Sequence, residues 1–259
     1  MKISQIRNAT MIIHIADKVI LVDPMLAPKG AIPSLKYATS TRRKNPLVDL
    51  PDQTDALLKE VTHCIITHCQ KGHFDHLDKA GTKWLRENNI PVYCSIQDAD
   101  FLKKKGLDVH ALNSNEANPF LGGSVSLVPC VHGRGIVGKM MAHGFGYAIK
   151  LPNEPSLYIT GDTILTDEVR AFVLNHKPEV VVLPAGGARF DMGGDIIMGF
   201  DEAIQMGTLT KSYIIANHLE ALDHCPVTRE SLKTEIHRKG WSERYFVPSD
   251  GETLTVEAV

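Results

Sequence analysis

Residues 65–76 run Ile65-Ile66-Thr67-His68-Cys69-Gln70-Lys71-Gly72-His73-Phe74-Asp75-His76, and the reading of this stretch decides the fold. Cys64 to Ile66 is a short apolar run of the kind that forms a buried strand. The polar cluster begins where that strand should end. Three imidazoles and one carboxylate within nine residues are poor core filler. Each would carry the cost of an unpaired polar group taken out of water, roughly 2–7 kcal/mol. A divalent cation removes that cost, and zinc accepts imidazole nitrogen and carboxylate oxygen readily. A polar loop rich in histidine by chance is the competing reading, and the weaker one.

Upstream of this stretch, residues 2–7, 10–15 and 19–22 read as strands, with a turn at Ala16-Asp17-Lys18. The third ends in Asp23-Pro24, where a carboxylate at a strand end either points into a site or caps a turn. Residues 24–51 form a long irregular segment with prolines at 24, 28, 33, 46 and 51, the pattern of a functional lid or mobile loop. Its Arg42-Arg43-Lys44 run is either simply solvated or meets an anionic substrate.

Downstream, Asp78 is placed to cap a helix to about residue 88, and a strand at 92–95 precedes a helix at 98–105 closed by Gly106. Strands follow at 109–112, 124–129, 145–150 and 157–160. Thr166 opens a helix to about 175, with Asp167 and Glu168 in its first turn. A fully apolar strand at 180–183 runs into a glycine-rich stretch at 185–199. A short helix near 200–206, a strand at 213–216, a Thr228-capped helix to 239 and strand character over 246–256 complete the chain. Four of these strands end in a candidate ligand: His68, His132, Asp162 and His218. In layered α/β folds, sites gather at strand ends because a rigid scaffold holds the loops there.

Other polar residues separate into two groups. His14 lies within a strand, His63 near a strand start and His176 just after a helix, while His110 and His237 have no acidic or cysteine partner at ligand spacing. His143, in a glycine-flanked loop, is a candidate substrate contact at a pocket mouth. His224 follows His218 by six residues beside Asp223, which suits a substrate contact or proton donor. The glycine-rich stretch lacks the Gly-Lys-Ser/Thr of a P-loop. Its backbone N–H groups either hold an anion or serve an ordinary tight connection.

The chain's 259 residues, 43% hydrophobic with a net charge of −2, suit one large domain over 1–259 and give no electrostatic case for a nucleic-acid partner. Five cysteines, with no C-x-x-C spacing, point to a reducing cytoplasm rather than a disulfide framework. Neither a signal pattern at the N-terminus nor an apolar run of spanning length is present, so no membrane association is expected.

With these residues assembled, the chain resembles the metallo-β-lactamase-fold hydrolases, whose signature is H-x-H-x-D-H followed by a later His, a later Asp and a final His. His73, Asp75 and His76 match the second half of the motif. His132, Asp162 in Gly-Asp-Thr, and His218 fall in the expected order. Asp23 in Val-Asp-Pro matches the early aspartate that supports the site from behind a ligand. Within the superfamily the chain looks closest to the branch similar to L-ascorbate-6-phosphate lactonase. One departure stands out: Cys69-Gln70-Lys71-Gly72 occupies the place of a single residue. Ungapped, the first ligand would be Lys71, whose ammonium cannot bind a metal. The better reading is an insertion that leaves His68 as the ligand, with Gly72 letting the longer loop turn back.

The resemblance implies an α/β fold, a four-layer αβ/βα sandwich. It also implies two divalent cations, first of all zinc, with manganese, iron or nickel tolerated by the same donors. His68, His73 and His132 would hold one, Asp75, His76 and His218 the other, and Asp162 would bridge them. Such a pair lowers the pKa of a shared water, and the hydroxide attacks a carbonyl or phosphorus. Asp75 would also orient the nucleophile, with His224 as a second catalytic group. The expected substrate is a small, anionic ester or lactone, met by Arg42, Arg43, Lys44 and His143. A small-substrate phosphodiesterase, or a ligand-binding protein with a degraded metal site, are the alternatives. A homo-oligomer is compatible with the sequence.

Overall fold

The computed structural model describes residues 1–70, 72–141 and 144–257, apart from the side chains of Ile136 and Lys139. Side-chain alternation with period two builds its two sheets. In β2 (Thr10–Ile15), Met11, Ile13 and Ile15 face the other sheet while Ile12 turns outward. In β11 (Val180–Pro184), Val180 and Val182 face that same interior, and Val181 and Leu183 turn to the opposite side. Both faces of each strand are buried, which is why they read as near-continuous apolar runs.

The first sheet has the order β14 (Thr253–Thr255), β1 (Lys2–Arg7), β2, β3 (Lys18–Val22), β4 (His63–Ile66), β5 (Val92–Ser95), β6 (Val109–Leu112). The second runs β13 (Tyr245–Phe246), β12 (Tyr213–Asn217), β11, β10 (Leu157–Ile159), β9 (Phe145–Lys150), β8 (Gly123–Pro129), β7 (Asn118–Phe120). Each begins as an antiparallel meander and continues parallel: β3 to β6 in one sheet, β10 to β13 in the other. Helices α1 (Thr54–Leu58), α2 (Lys79–Glu87) and α3 (Ile96–Lys103) cover the first sheet through Leu58, Leu85, Ala99 and Leu102. Beyond α4 (Gly135–Met140), helices α5 (Asp167–His176), α6 (Phe200–Leu209) and α7 (Arg229–Arg238) cover the second through Val173, Met206 and Leu232. The result is the expected four-layer αβ/βα sandwich. Burying each such leucine or valine contributes about 1.5–3 kcal/mol, so the layers hold through their apolar faces.

Several elements differ from the sequence expectation. The short α1, α4 and β7 were not anticipated: α4 contains Gly135 and Gly138, and β7 contains Pro119, residues that weaken helix and strand signals alike. Helix α3 starts at Ile96 because the Ser95 side chain accepts from Gln97 N, which places Asp98 inside the first turn instead of at its cap. The expected strand over 246–256 is two strands, β13 beside β12 and β14 beside β1, and the turn between them carries the chain from one sheet to the other. Among the described residues, no helix is long and apolar enough to cross a membrane.

Parallel strands share one direction, so β3 and β4 deliver Asp23 and His68 at one edge, while β10 and β12 deliver Asp162 and His218. Two contacts lock these edges together. Tyr147 Oη donates to Ile66 O at 2.8 Å, and His218 N donates to Asn8 O at 3.0 Å.

Candidate metal centre

The strand ends bring His68, His73 and His132 into one cluster, and Asp75, His76, Asp162 and His218 into a second. Within each, the candidate ligand atoms lie within 4.8 Å of one another. His73, Asp75 and His76 come from the turns after His68, and Gly72 takes a left-handed φ of 90° in that lengthened loop. All seven side chains are buried.

In the first cluster, the His68 ring lies 4.3 Å from that of His73 and 5.3 Å from that of His132. His132 Nδ1 sits 2.8 Å from Ile196 O, so that nitrogen carries the proton and Nε2 keeps its lone pair. His68 Nδ1 lies 3.1 Å from Thr67 Oγ1. Among the described residues, the Nε2 atoms of His68 and His132 are buried without a hydrogen-bond partner. Burial lowers all three imidazoles, His73 to about 4, and so keeps the cluster neutral at physiological pH.

In the second cluster, Asp162 Oδ2 lies 3.1 Å from His76 Nε2 and 3.3 Å from His218 Nε2. The same oxygen is 3.5 Å from His132 Nε2, so Asp162 faces both clusters. Asp75 Oδ2 lies 3.3 Å from His218 Nε2 and 3.6 Å from His76 Nε2. Burial works against every charge here, but mutual attraction outweighs it. Asp75 and Asp162 are held below the usual carboxylate range, and His76 and His218 above the usual imidazole range.

Behind these groups stand the residues that aim them. Asp23 accepts from Thr67 N at 2.8 Å and from Thr67 Oγ1 at 2.6 Å, and lies 2.8 Å from His76 Nδ1. Burial raises its carboxyl, and His76 opposes the rise. Asn8 Nδ2 is 3.4 Å from both Asp75 O and His218 Nε2. Asn8, Asp23 and His218 all adopt left-handed backbone, at φ of 56°, 46° and 57°, in residue types that tolerate it best. His224 is buried, its ring 6.4 Å from that of His218 and stacked on Phe190 at 5.9 Å. Burial would lower His224, but neighbouring Cys225 more than reverses this.

The long proline-rich segment lies against the glycine-rich stretch and is tied down along its length. Arg7, wholly buried, donates to the carbonyls of Val48, Met25 and Ala27, and burial lowers its guanidinium to about 10. Asp223, next to His224, accepts from Ser34 Oγ, Leu35 N, Lys36 N and Asn45 Nδ2. Asp191 accepts from Tyr37 N at 2.7 Å and Thr39 N at 2.9 Å. Arg42, Arg43 and Lys44 are exposed on this segment and line a surface depression of ≈ 430 Å³ with Ile32, Pro33 and Tyr37. Arg42 stacks over Tyr37 at 5.1 Å instead of reaching toward the histidines. His143 lies outside the described residues.

The sequence did not point to Thr67, Asn8, Ile196 or Cys225 as supports of the site. Thr67 had one signal, a hydroxyl directly before the strand-end imidazole. The other three meet their partners only through the tertiary fold.

No family model matches the chain. The UPF0173 protein YddR of Bacillus subtilis (strain 168) is 34% identical over 98% of this chain and 100% of its own length. The crystal structure of an isothiocyanate hydrolase from Delia radicum gut bacteria superposes with a TM-score of 0.88 at 31% identity, covering 100% of both chains. The metallo-β-lactamase fold protein YhfI of Bacillus subtilis superposes with a TM-score of 0.64 at 12% identity over 98% of each chain, a likeness of fold.

Proposed function

The chain belongs to the UPF0173 family, other matching members of which include proteins named metal-dependent hydrolases, and from that premise we propose that its seven clustered donors hold two divalent cations to hydrolyse a small molecule. The observation that carries this reading is the pair of buried Nε2 atoms on His68 and His132 that have no hydrogen-bond partner among the described residues, with the other nitrogen of each ring already engaged. Left so, each costs about 1–3 kcal/mol. A cation satisfies both.

His68, His73 and His132 would hold one ion and Asp75, His76 and His218 the other, with Asp162 between them. Zinc fits these donors best, and manganese, iron and nickel also accept them. Such ions, when bound, would acidify a water and offset charge on the attacked centre. Asp75, 3.3 Å from His218 Nε2, would orient the attacking water through its carboxylate. His224, buried beyond His218, is placed to return a proton to the leaving group. The layered core below keeps these groups fixed while bulk water stays outside.

As to substrate, attack on an electrophilic carbon fits this constellation, and likeness over the whole length to a protein named as an isothiocyanate hydrolase supports an isothiocyanate as the first reading. Water would add to the central carbon, and cleavage of the C–N bond would release an amine and carbonyl sulfide. An anionic ester or lactone is the second reading, favoured by the exposed Arg42, Arg43 and Lys44. The test is turnover by zinc-loaded protein on alkyl isothiocyanates, phosphorylated lactones and phosphodiesters, with bound metal measured in parallel. Metal-dependent cleavage of the first or second group is expected. Full metal content with no cleavage of any of them would overturn the hydrolytic reading, and phosphodiester cleavage alone would move the reaction to phosphorus.

A further inference from the structure

An imidazole that binds a metal through Nε2 carries its proton on Nδ1, and whatever accepts that proton fixes the ring's orientation. Three of the clustered histidines meet oxygen at that nitrogen. His76 faces Asp23 Oδ2 at 2.8 Å, His132 faces Ile196 O at 2.8 Å, and His68 faces Thr67 Oγ1 at 3.1 Å. His218 differs. Its Nδ1 lies 3.5 Å from Cys225 Sγ, within reach of a hydrogen bond to sulfur.

The seat of this sulfur is built into the fold. His218 is 1% exposed and its backbone is left-handed, so the ring direction follows from a constrained main chain. A Cβ on Gly186 would stand 2.1 Å from His218 O and 3.1 Å from Cys225 Cβ. Only glycine at 186 therefore lets the loop carrying Cys225 close onto His218. The same sulfur lies 3.9 Å from His224 Nδ1, so one side chain touches both the ring at the cluster and the ring behind it.

We propose that Cys225 is the positioning residue of His218: its sulfur accepts the Nδ1 proton and thereby aims Nε2 at the cation shared with Asp75, His76 and Asp162. This rests on the two-cation reading above. The contact between Cys225 and His218, at 3.5 Å, is longer than the 2.8 Å contacts of His76 and His132. The Asp75-containing half of the centre is accordingly the half whose affinity depends on a thiol.

The test is stepwise cobalt(II) and zinc titration of the wild type, Cys225→Ala and Cys225→Ser, reading dissociation constants by chelator competition and the cobalt visible spectrum. Cys225→Ala is expected to weaken one of the two ions by about 10–100-fold and change its cobalt bands, leaving the other ion unchanged. The serine variant, which keeps a hydrogen-bonding atom, should lie between. Thermal melting of the metal-free variants should match that of the wild type, which excludes a general loss of structure. In the unmutated zinc-loaded protein, imidazole ¹⁵N resonances should show His218 protonated at Nδ1, a readout that needs no variant to fold. Wild-type affinity for both ions in Cys225→Ala, equal loss at both, or a His218 deprotonated at Nδ1 would overturn the proposal alone. A wild type that takes up no ion would overturn the two-cation reading and this inference with it.

Discussion

The two halves of the centre solve the problem of buried polarity in opposite ways. Around His68, His73 and His132, burial suppresses protonation and leaves two nitrogens without a hydrogen bond among the described residues. Around Asp75, His76, Asp162 and His218, carboxylates and imidazolium rings neutralise one another at 3.1–3.6 Å. The first half needs an ion to be satisfied. The second is already satisfied in the metal-free chain and must give up protons to accept an ion. Asp162, within 3.5 Å of His132 Nε2, joins the two.

The largest effect should come from removing that junction. Asp162→Ala is expected to abolish hydrolysis, a loss on the order of 10³-fold or more in kcat/KM, with metal content reduced at both positions. Turnover assays with elemental analysis check this, and near-normal turnover would break the picture of two coupled halves.

His68→Ala separates the halves. The loss should be confined to one ion, lowering zinc content from about two to about one per chain, while the protein stays folded. The same variant checks the lengthened loop, since unchanged metal content would mean that His68 is no ligand.

Acidity gives the third test. In the metal-free chain His76 and His218 are held protonated by Asp162 and Asp75 against the cost of burial, so filling that half must expel protons. Its affinity should fall as pH falls and protons compete more strongly. His73, lowered to about 4, offers an unprotonated nitrogen down to that pH. The first half should therefore keep its affinity from about pH 8 to about pH 5. Zinc calorimetry in buffers of different ionisation heat counts the protons released at each step. Equal proton release at both steps would contradict the contrast.

How much of this was legible in the sequence follows from the range of each interaction. Strands such as β2 and β11 announce themselves through runs of Ile and Val, and helices α2, α5 and α7 through the caps Asp78, Thr166 and Thr228. The strand-end residues could be seen because a polar donor after an apolar run is a local pattern. Of the acceptors behind them, Asp23 was marked by its strand-end place and by the family's early aspartate, whereas Ile196 carried no mark. Asp23 meets His76 across 53 positions, and Ile196 O meets His132 across 64. Cys225 lies seven positions from His218, but no spacing rule marks it. Likewise the proline-rich segment read as a lid or mobile loop, yet Asp191 fastens it to the glycine-rich stretch and Asp223 to the loop after β12, pairings that local sequence does not encode.

That fastening supplies the smallest expected effect. Asp223 is held below the usual carboxylate range: burial raises it, but donors from Ser34, Asn45, Leu35 and Lys36 more than offset the rise. Its contribution is fully present above the unfolded value of about 3.9 and is lost as pH falls through the lower folded value. Asp223→Asn should cost about 1–2 kcal/mol, read by denaturant melts at neutral pH, with the difference from wild type shrinking below about pH 4. Hydrogen exchange at Leu35 and Lys36 should rise in the variant while amides of β11 stay protected.

The most direct test of the two-ion centre is anomalous diffraction at the zinc edge from crystals of the zinc-loaded chain. Two peaks about 3.5–4 Å apart are expected, one among His68, His73 and His132 and the other among Asp75, His76 and His218, with Asp162 touching both. A single peak, or zinc bound away from these seven side chains, would contradict the account.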